Sequence, residues 1–213
     1  MMQNRPDTKP PVLLETARLI LRPWKTEDLA PFAHMNANAQ VMQHFPQMLN
    51  TQESDALAEK FQQQINLNGW GFWALELKQT GQFIGFTGLH FQPDLFEFSP
   101  CTEIGWRLAA EFWHQGYATE AADECLRFAF EVLQLKTVKA FTAVQNKASE
   151  NVMLRLGMQH QGYFNHPKLN SNSPLLRHTL YCIKQADFLK NHGEYGLNQS
   201  IHIEPAQRFA KPQ

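Results

Sequence analysis

Apolar residues crowd residues 17–24, ARLILRPW, at strand length, and the next segment, KTEDLAPFAHMNAN, turns polar with Glu27 and Asp28 placed for a first helical turn. That pattern predicts a strand followed by a helix with Thr26 as its N-cap. In NTQESDALAEKFQQQINLNG, Leu57, Phe61 and Ile65 recur every four positions, Asn50 and Glu53 stand at capping-box spacing, and Asn68-Gly69 supply a stop. A second, amphipathic helix follows from it. WGFWALELK and QFIGFTGLHF are aromatic-rich runs parted by QTG, the signature of a hairpin with Gly81 at its turn.

CTEIGWRLA continues the strands, and YATEAADECLRFAFEVL then presents Ala122, Leu126, Ala129 and Leu133 on one helical face. TVKAFTAVQ reads as a strand, and SENVMLRLG as a short helix with Ser149 as N-cap and Gly157 as stop. MQHQGYF and RHTLYCIKQ make two late strands around the irregular NHPKLNSNSP. Beyond about Lys190 periodicity fades into a tail whose docking is open. The order β, α, α, three β, α, β, α, two β predicts one α/β (α+β) domain on a mostly antiparallel sheet, with a parallel pair across the third helix.

Composition narrows the function. The chain has 213 residues, 43% apolar and 12% aromatic, enough for one sizeable core. Nineteen basic against twenty acidic residues leave a net charge of -1, which sets aside a nucleic-acid backbone or an anionic membrane as main partner. The start, MMQNRPDTKPPVLLETARL, lacks an apolar h-region and no window nears the roughly eighteen apolar residues of a spanning helix, so a soluble, unprocessed protein is expected. Cys101, Cys125 and Cys182 are odd in number and form no C-x-x-C pair, which fits a reducing cytoplasm. The nine histidines contain no H-E-x-x-H, and no metal is expected.

Chemistry concentrates where a strand passes through FWHQGYATEA into a helix. The first turn of a helix has N–H groups without intrahelical partners and the positive end of the dipole, so the turn at Gly116 suits an anion without needing Lys or Arg. Spacing alone also allows Gly116 simply to relieve a tight connection. Residues of a G-x-x-x-x-G-K-[ST] or G-x-G-x-x-G loop are absent. Downstream, in VQNKASENVMLRLGM, Asn146 ends a strand with a carboxamide able to bond an amide-rich ligand.

Together these segments resemble the GNAT superfamily of acyl-CoA N-acyltransferases. The family's Q/R-x-x-G-x-G/A stands here as Trp113-His114-Gln115-Gly116-Tyr117-Ala118, and its N-x-x-S and L-G-F/M as Asn146, Ser149 and Leu156-Gly157-Met158. LETARLILRPW, GWGFWALELKQTGQFIGFTGL and EIGWRLAAEFW resemble its Rim-type branch, which acetylates protein N-termini.

The resemblance spans a domain of residues 13–188, with tails at 1–12 and 189–213, and implies a mixed sheet of about seven strands flanked by about four helices. It implies that the amides of His114, Gln115, Gly116, Tyr117, Ala118 and Thr119 hold the pyrophosphate of acetyl-CoA. The main chain of Trp106 and Leu108 and the side chain of Asn146 would flank pantetheine. The activity implied is acetyl transfer from acetyl-CoA to a primary amine, at a protein N-terminus or on a small molecule, by a monomer or homodimer in the cytoplasm. A non-catalytic acyl-CoA sensor is the alternative.

Two positions depart from the family. Trp113 replaces Gln or Arg, and Met153 occupies the place of the Tyr that many members use as general acid. A thioether donates no proton. Glu103 is the candidate general base, with a purely structural strand carboxylate as the other reading. Ser149 is the candidate acid, its other role being a helix cap; both roles are compatible, because a capping hydroxyl accepts through its lone pairs and still donates.

Overall fold

The computed structural model describes residues 9–192 and the backbone of residues 201–202. Its sheet runs in the order β7-β8-β6-β5-β4-β3-β2-β1-β9. The strands are β1 (Leu13–Glu15), β2 (Leu19–Arg22), β3 (Phe72–Leu77), β4 (Phe83–Gln92), β5 (Cys101–Leu108), β6 (Thr137–Ala143), β7 (Gln159–Asn165), β8 (Arg177–Lys184) and β9 (Ile201–His202). The α-helices are α1 (Leu29–Asn36), α2 (Ala39–Met42), α3 (Thr51–Asn68), α4 (Tyr117–Arg127), α5 (Lys147–Arg155) and α6 (Gln185–His192). Every pairing is antiparallel except β5 with β6, which are joined across α4. This is the mixed, mostly antiparallel α/β fold expected, with more strands and helices than the expected seven and four.

Local signals explain most of the elements. The Asn50 Oδ1 accepts from the Glu53 N–H at 3.0 Å while Glu53 Oε2 accepts from the Asn50 N–H at 2.9 Å, the reciprocal pair that starts α3. Gly69, at φ 82°, ends it, its N–H donating to the Ile65 carbonyl. The core lies on both faces of the sheet. Leu14, Leu21, Trp73, Ile84, Phe128 and Phe130 pack on the face covered by α4 and α6, and Phe32, Phe61, Phe72 and Phe86 on the face covered by α1 and α3.

Four expectations are corrected. The strand expected at residues 17–24 is present but shorter, as β2, and an unforeseen β1 precedes it and pairs with it antiparallel through Leu14 and Leu21. Thr26 is not a cap: a 3₁₀ turn, Thr26–Asp28, begins after Lys25. Its last residue turns inward, where Asp28 takes both Nη groups of Arg22 at 2.7 and 2.8 Å and the Lys25 N–H at 2.8 Å. Third, the cap of α5 is Asn146, not Ser149. Fourth, β8 passes straight into α6, which buries Phe188 completely and runs to His192. Burying that ring is worth roughly 1.5–3 kcal/mol, enough to dock a helix of two turns. Ile201–His202 pair with β1; the remainder of the expected tail lies outside the described residues.

Candidate active site

After β5 the chain makes a 3₁₀ turn, Ala110–Phe112, and enters α4 through Gly116, its N-cap, at φ 82°. His114 is also left-handed, at φ 59°, and two such residues so close together curl the loop and draw successive N–H groups inward. None of the N–H groups from His114 to Thr119 donates to backbone or side chain among the described residues, and no side chain caps α4. The first internal bond of the helix is the Glu120 N–H to the Gly116 carbonyl at 3.0 Å. An anion cradle of main-chain donors is therefore open. A Cβ at Gly116 would find its nearest neighbour, Arg18 Nη2, at 3.4 Å, so glycine is required there by backbone conformation more than by space.

Arg18 was invisible to sequence reasoning about this turn. Its Nη1 donates to the Gln115 carbonyl at 3.0 Å, its guanidinium lies 4.4 Å from the Tyr117 ring centre, and it pairs with Glu120 at 2.6 Å. Burial works to raise the Glu120 pKa, but hydrogen bonds from Thr16 and Arg18 outweigh it and hold the carboxyl below its ordinary value. The brace joins the turn between β1 and β2 to the cradle.

Beside the cradle the sheet opens. β5 and β6 pair only at Glu103 and Lys139. Past that point the Ala109 N–H donates to Ile84 on the β4 side, so by alternation the amides of Trp106 and Leu108 face the gap toward β6. The Leu108 carbonyl already accepts from the Trp113 indole N–H at 2.9 Å, which gives the departure at Trp113 a structural use: it pins the loop to the end of the strand. A cleft of about 320 Å³ fills the gap, lined among others by Trp106, Arg107, Phe141, Asn146, Ser149 and Met153.

Asn146 Oδ1 accepts from the Ser149 N–H at 3.2 Å, and its Nδ2 donates to Thr142 Oγ1 at 2.9 Å and to Ser149 Oγ at 3.1 Å. Ser149 Oγ thus accepts from Asn146, and its own O–H has no acceptor among the described residues. Met153 is buried beneath them on α5.

Glu103 is not among the residues lining the cleft. Its Oε1 lies 3.0 Å from Gln92 Nε2 and 3.1 Å from His90 Nδ1, while Oε2 is buried without a partner. An orphaned carboxylate oxygen next to a cleft leaves an acceptor for a water or an incoming N–H. Sequence reasoning also missed His166 and His178, which line the cleft from either side of the β7–β8 loop with ring centres 4.9 Å apart. Burial, aided by the neighbouring His178, pushes His166 down to about 4, and burial lowers His178 too, so both are neutral at pH 7.

A strand edge splayed from its parallel neighbour and a capped helix start share one cleft, an amide cradle follows the same strand at Gly116, and together they are the arrangement of an acyl-CoA-dependent acyltransferase. The sequence profile of the acetyltransferase (GNAT) domain matches residues 18–159, most of the chain, and the protein belongs to that family of acetyl-CoA-dependent N-acetyltransferases. Among similar proteins, the N-acetyltransferase YoaA of Bacillus subtilis (strain 168), itself uncharacterized, is 25% identical over 164 residues, covering 76% of this chain and 91% of YoaA. YdaF of the same organism, provisionally named a ribosomal N-acetyltransferase, is 30% identical over 117 residues, 55% of this chain and 61% of YdaF. The fold matches a spermidine N-acetyltransferase from Vibrio cholerae, solved with CoA and spermine, at a TM-score of 0.65 and 21% identity, covering 82% of this chain and 99% of that one. Among the described residues no helix is long and apolar enough to cross a membrane and no His, Cys, Asp and Glu group could hold a metal ion.

Proposed function

We propose that the chain acetylates a primary amine that enters the β5–β6 cleft, by direct attack on acetyl-CoA held by the His114–Thr119 amides and the β5 edge. The observation that carries this reading is the parting of β5 and β6 beyond Glu103 and Lys139, which leaves a cleft lined by Trp106 of the strand edge and by Asn146 and Ser149. Pantetheine fits such an edge as an added strand would, its amides pairing with Trp106 and Leu108.

In the reaction the amine nitrogen attacks the thioester carbonyl carbon, the C–S bond breaks, and an N–H proton leaves. Most of an α-amine with a pKa near 8, or a lysine-like amine near 10.4, is protonated at neutral pH, so a base helps. The free Oε2 of Glu103 receives that proton, directly or through a water. The Ser149 O–H donates a hydrogen bond to the departing thiolate, filling the place Met153 leaves vacant. The products are the acetylated amine and CoA.

Thermal unfolding with and without acetyl-CoA, followed by thiol release over a panel of amines, tests the reading. Saturating acetyl-CoA should raise the Tm, because a ligand of the native state alone must stabilise it. Glu103→Gln should lower turnover and change its pH dependence while leaving acetyl-CoA affinity near wild type; an unchanged pH profile reduces Glu103 to a structural residue.

A further inference from the structure

The residues lining the cleft include no Asp or Glu, yet Arg107 stands among them. Its guanidinium has five N–H donors. Nη1 donates to Asn36 Oδ1 at 2.6 Å, the Phe45 ring lies 3.9 Å from its carbon, and Nε is buried with no partner at all. It takes part in none of the ion pairs among the described residues. Burial lowers its pKa to about 10, which still leaves it charged at neutral pH. Asn36 offers a dipole but no charge, and its own Nδ2 is spent on Ser54 Oγ at 2.9 Å. A desolvated cation without a counter-charge is costly, and the cost falls if the ligand brings an anion.

Position adds direction. Glu103 and Arg107 share one face of β5, since both lie an even number of residues apart on an alternating strand. Four residues correspond to roughly 13 Å of strand. An acceptor whose amine is near Glu103 therefore reaches Arg107 only with a group several bonds away. Between them the wall is aromatic, with Phe72 and Phe86, and the imidazoles of His166 and His178 add no charge at pH 7.

We propose that the acceptor is a small primary amine bearing a carboxylate several bonds from the nitrogen, with an apolar linker, and that Arg107 binds that carboxylate. The assignment rests on the acetyl-transfer reading above. It excludes polyamines, whose several cations would meet one arginine and no carboxylate on the cleft wall.

The test compares unbranched ω-amino carboxylates of increasing length with their primary carboxamides and with spermidine, by acetyl-CoA-dependent thiol release. For the best chain length the acid should exceed its amide in kcat/KM by on the order of tenfold or more, the effect of one charge-assisted hydrogen bond. Arg107→Gln should bring that ratio close to one with little change in the KM for acetyl-CoA, and Arg107→Lys should retain part of it. Wild-type enzyme that uses the amides or spermidine as well as the acids overturns the proposal, whether or not the variants fold. So does an Arg107→Gln loss of equal size for acid and amide. Acetyl-CoA that neither raises the Tm nor releases thiol with any amine overturns the transfer reading, and this one with it; turnover without an acid preference overturns this one alone.

Discussion

Asn146 holds two jobs that two substitutions separate. Its Oδ1 caps α5 through the Ser149 N–H, and its Nδ2 donates to the Thr142 and Ser149 hydroxyls. Asn146→Ala removes the cap, a loss of about 1 kcal/mol, which lowers the Tm of a chain this size by about 2–4 °C. Asn146→Asp keeps an oxygen for the Ser149 N–H and adds a negative charge at a helix N-terminus, favourable by about 0.3–1 kcal/mol, so its Tm should stay within a degree or two of wild type. The second oxygen of the Asp then occupies the position of Nδ2, 3.1 Å from Ser149 Oγ, and accepts the very proton that Ser149 would offer the thiolate.

A hydrogen bond to a charged group is worth about 1.5–3 kcal/mol, which places the expected fall in kcat at about tenfold to a hundredfold. Thiol release at saturating acetyl-CoA and acceptor measures it, beside thermal unfolding of the same preparations. An Asn146→Asp enzyme with wild-type kcat would refute the role of Ser149, and Ser149→Ala should show a loss of similar size. Asn146→Ala as stable as wild type would instead refute the cap.

Two further outcomes follow from the geometry. Gly116→Ala meets no clash but forces a left-handed conformation at about 1–2 kcal/mol; its Tm should fall by a few degrees while the Kd for acetyl-CoA, read by calorimetry, weakens more than tenfold, and an unchanged Kd would reduce Gly116 to a connector. Burial, against the attraction of Arg127, raises Glu124 from 4.5 to about 7, so the stability tied to its protonated form is complete below about pH 4.5 and lost as pH rises through 7. Glu124→Gln should therefore stabilise the protein at pH 8 by on the order of 1–3 kcal/mol and not at all below pH 4.5; a Tm difference that does not grow over that interval sinks the assignment.

Elements whose causes are local were legible in the chain. The Asn50–Glu53 box, the Gly69 stop and the Gly81 hairpin each lie within a few residues of what they terminate, and all stand in the structure. The cap of α5 was misplaced because Asn146 and Ser149 are both good capping residues three positions apart. What selects Asn146 is its second bond, to Thr142 at the end of β6, which propensity does not register. Thr26 was misplaced for a similar reason: Asp28 is drawn inward by Arg22, and the turn is set by that buried pair. α6 was hidden because only Phe188 among its residues is buried, too few for a periodic stripe.

The same division runs through the site. A cradle and a strand edge are made of main chain, so they leave a trace of small residues and turn signals in order along the sequence, and the resemblance carried by that trace is what nominated His114 to Thr119, Trp106 and Leu108. The charges that shape the site leave none. Arg18, in the turn before β2, reaches the Gln115 carbonyl 97 residues away, and Arg107, on β5, reaches Asn36 across 71, each a lone residue whose neighbours give no hint of its use. On the proposed reading, cofactor binding is thus written in backbone conformation, which tolerates change in the side chains around it. On the same reading, acceptor choice is written in single side chains brought together only by the completed sheet. It follows that substitutions at Arg107 should redirect the acceptor without disturbing the cradle, and substitutions at Gly116 should disturb the cradle for every acceptor alike.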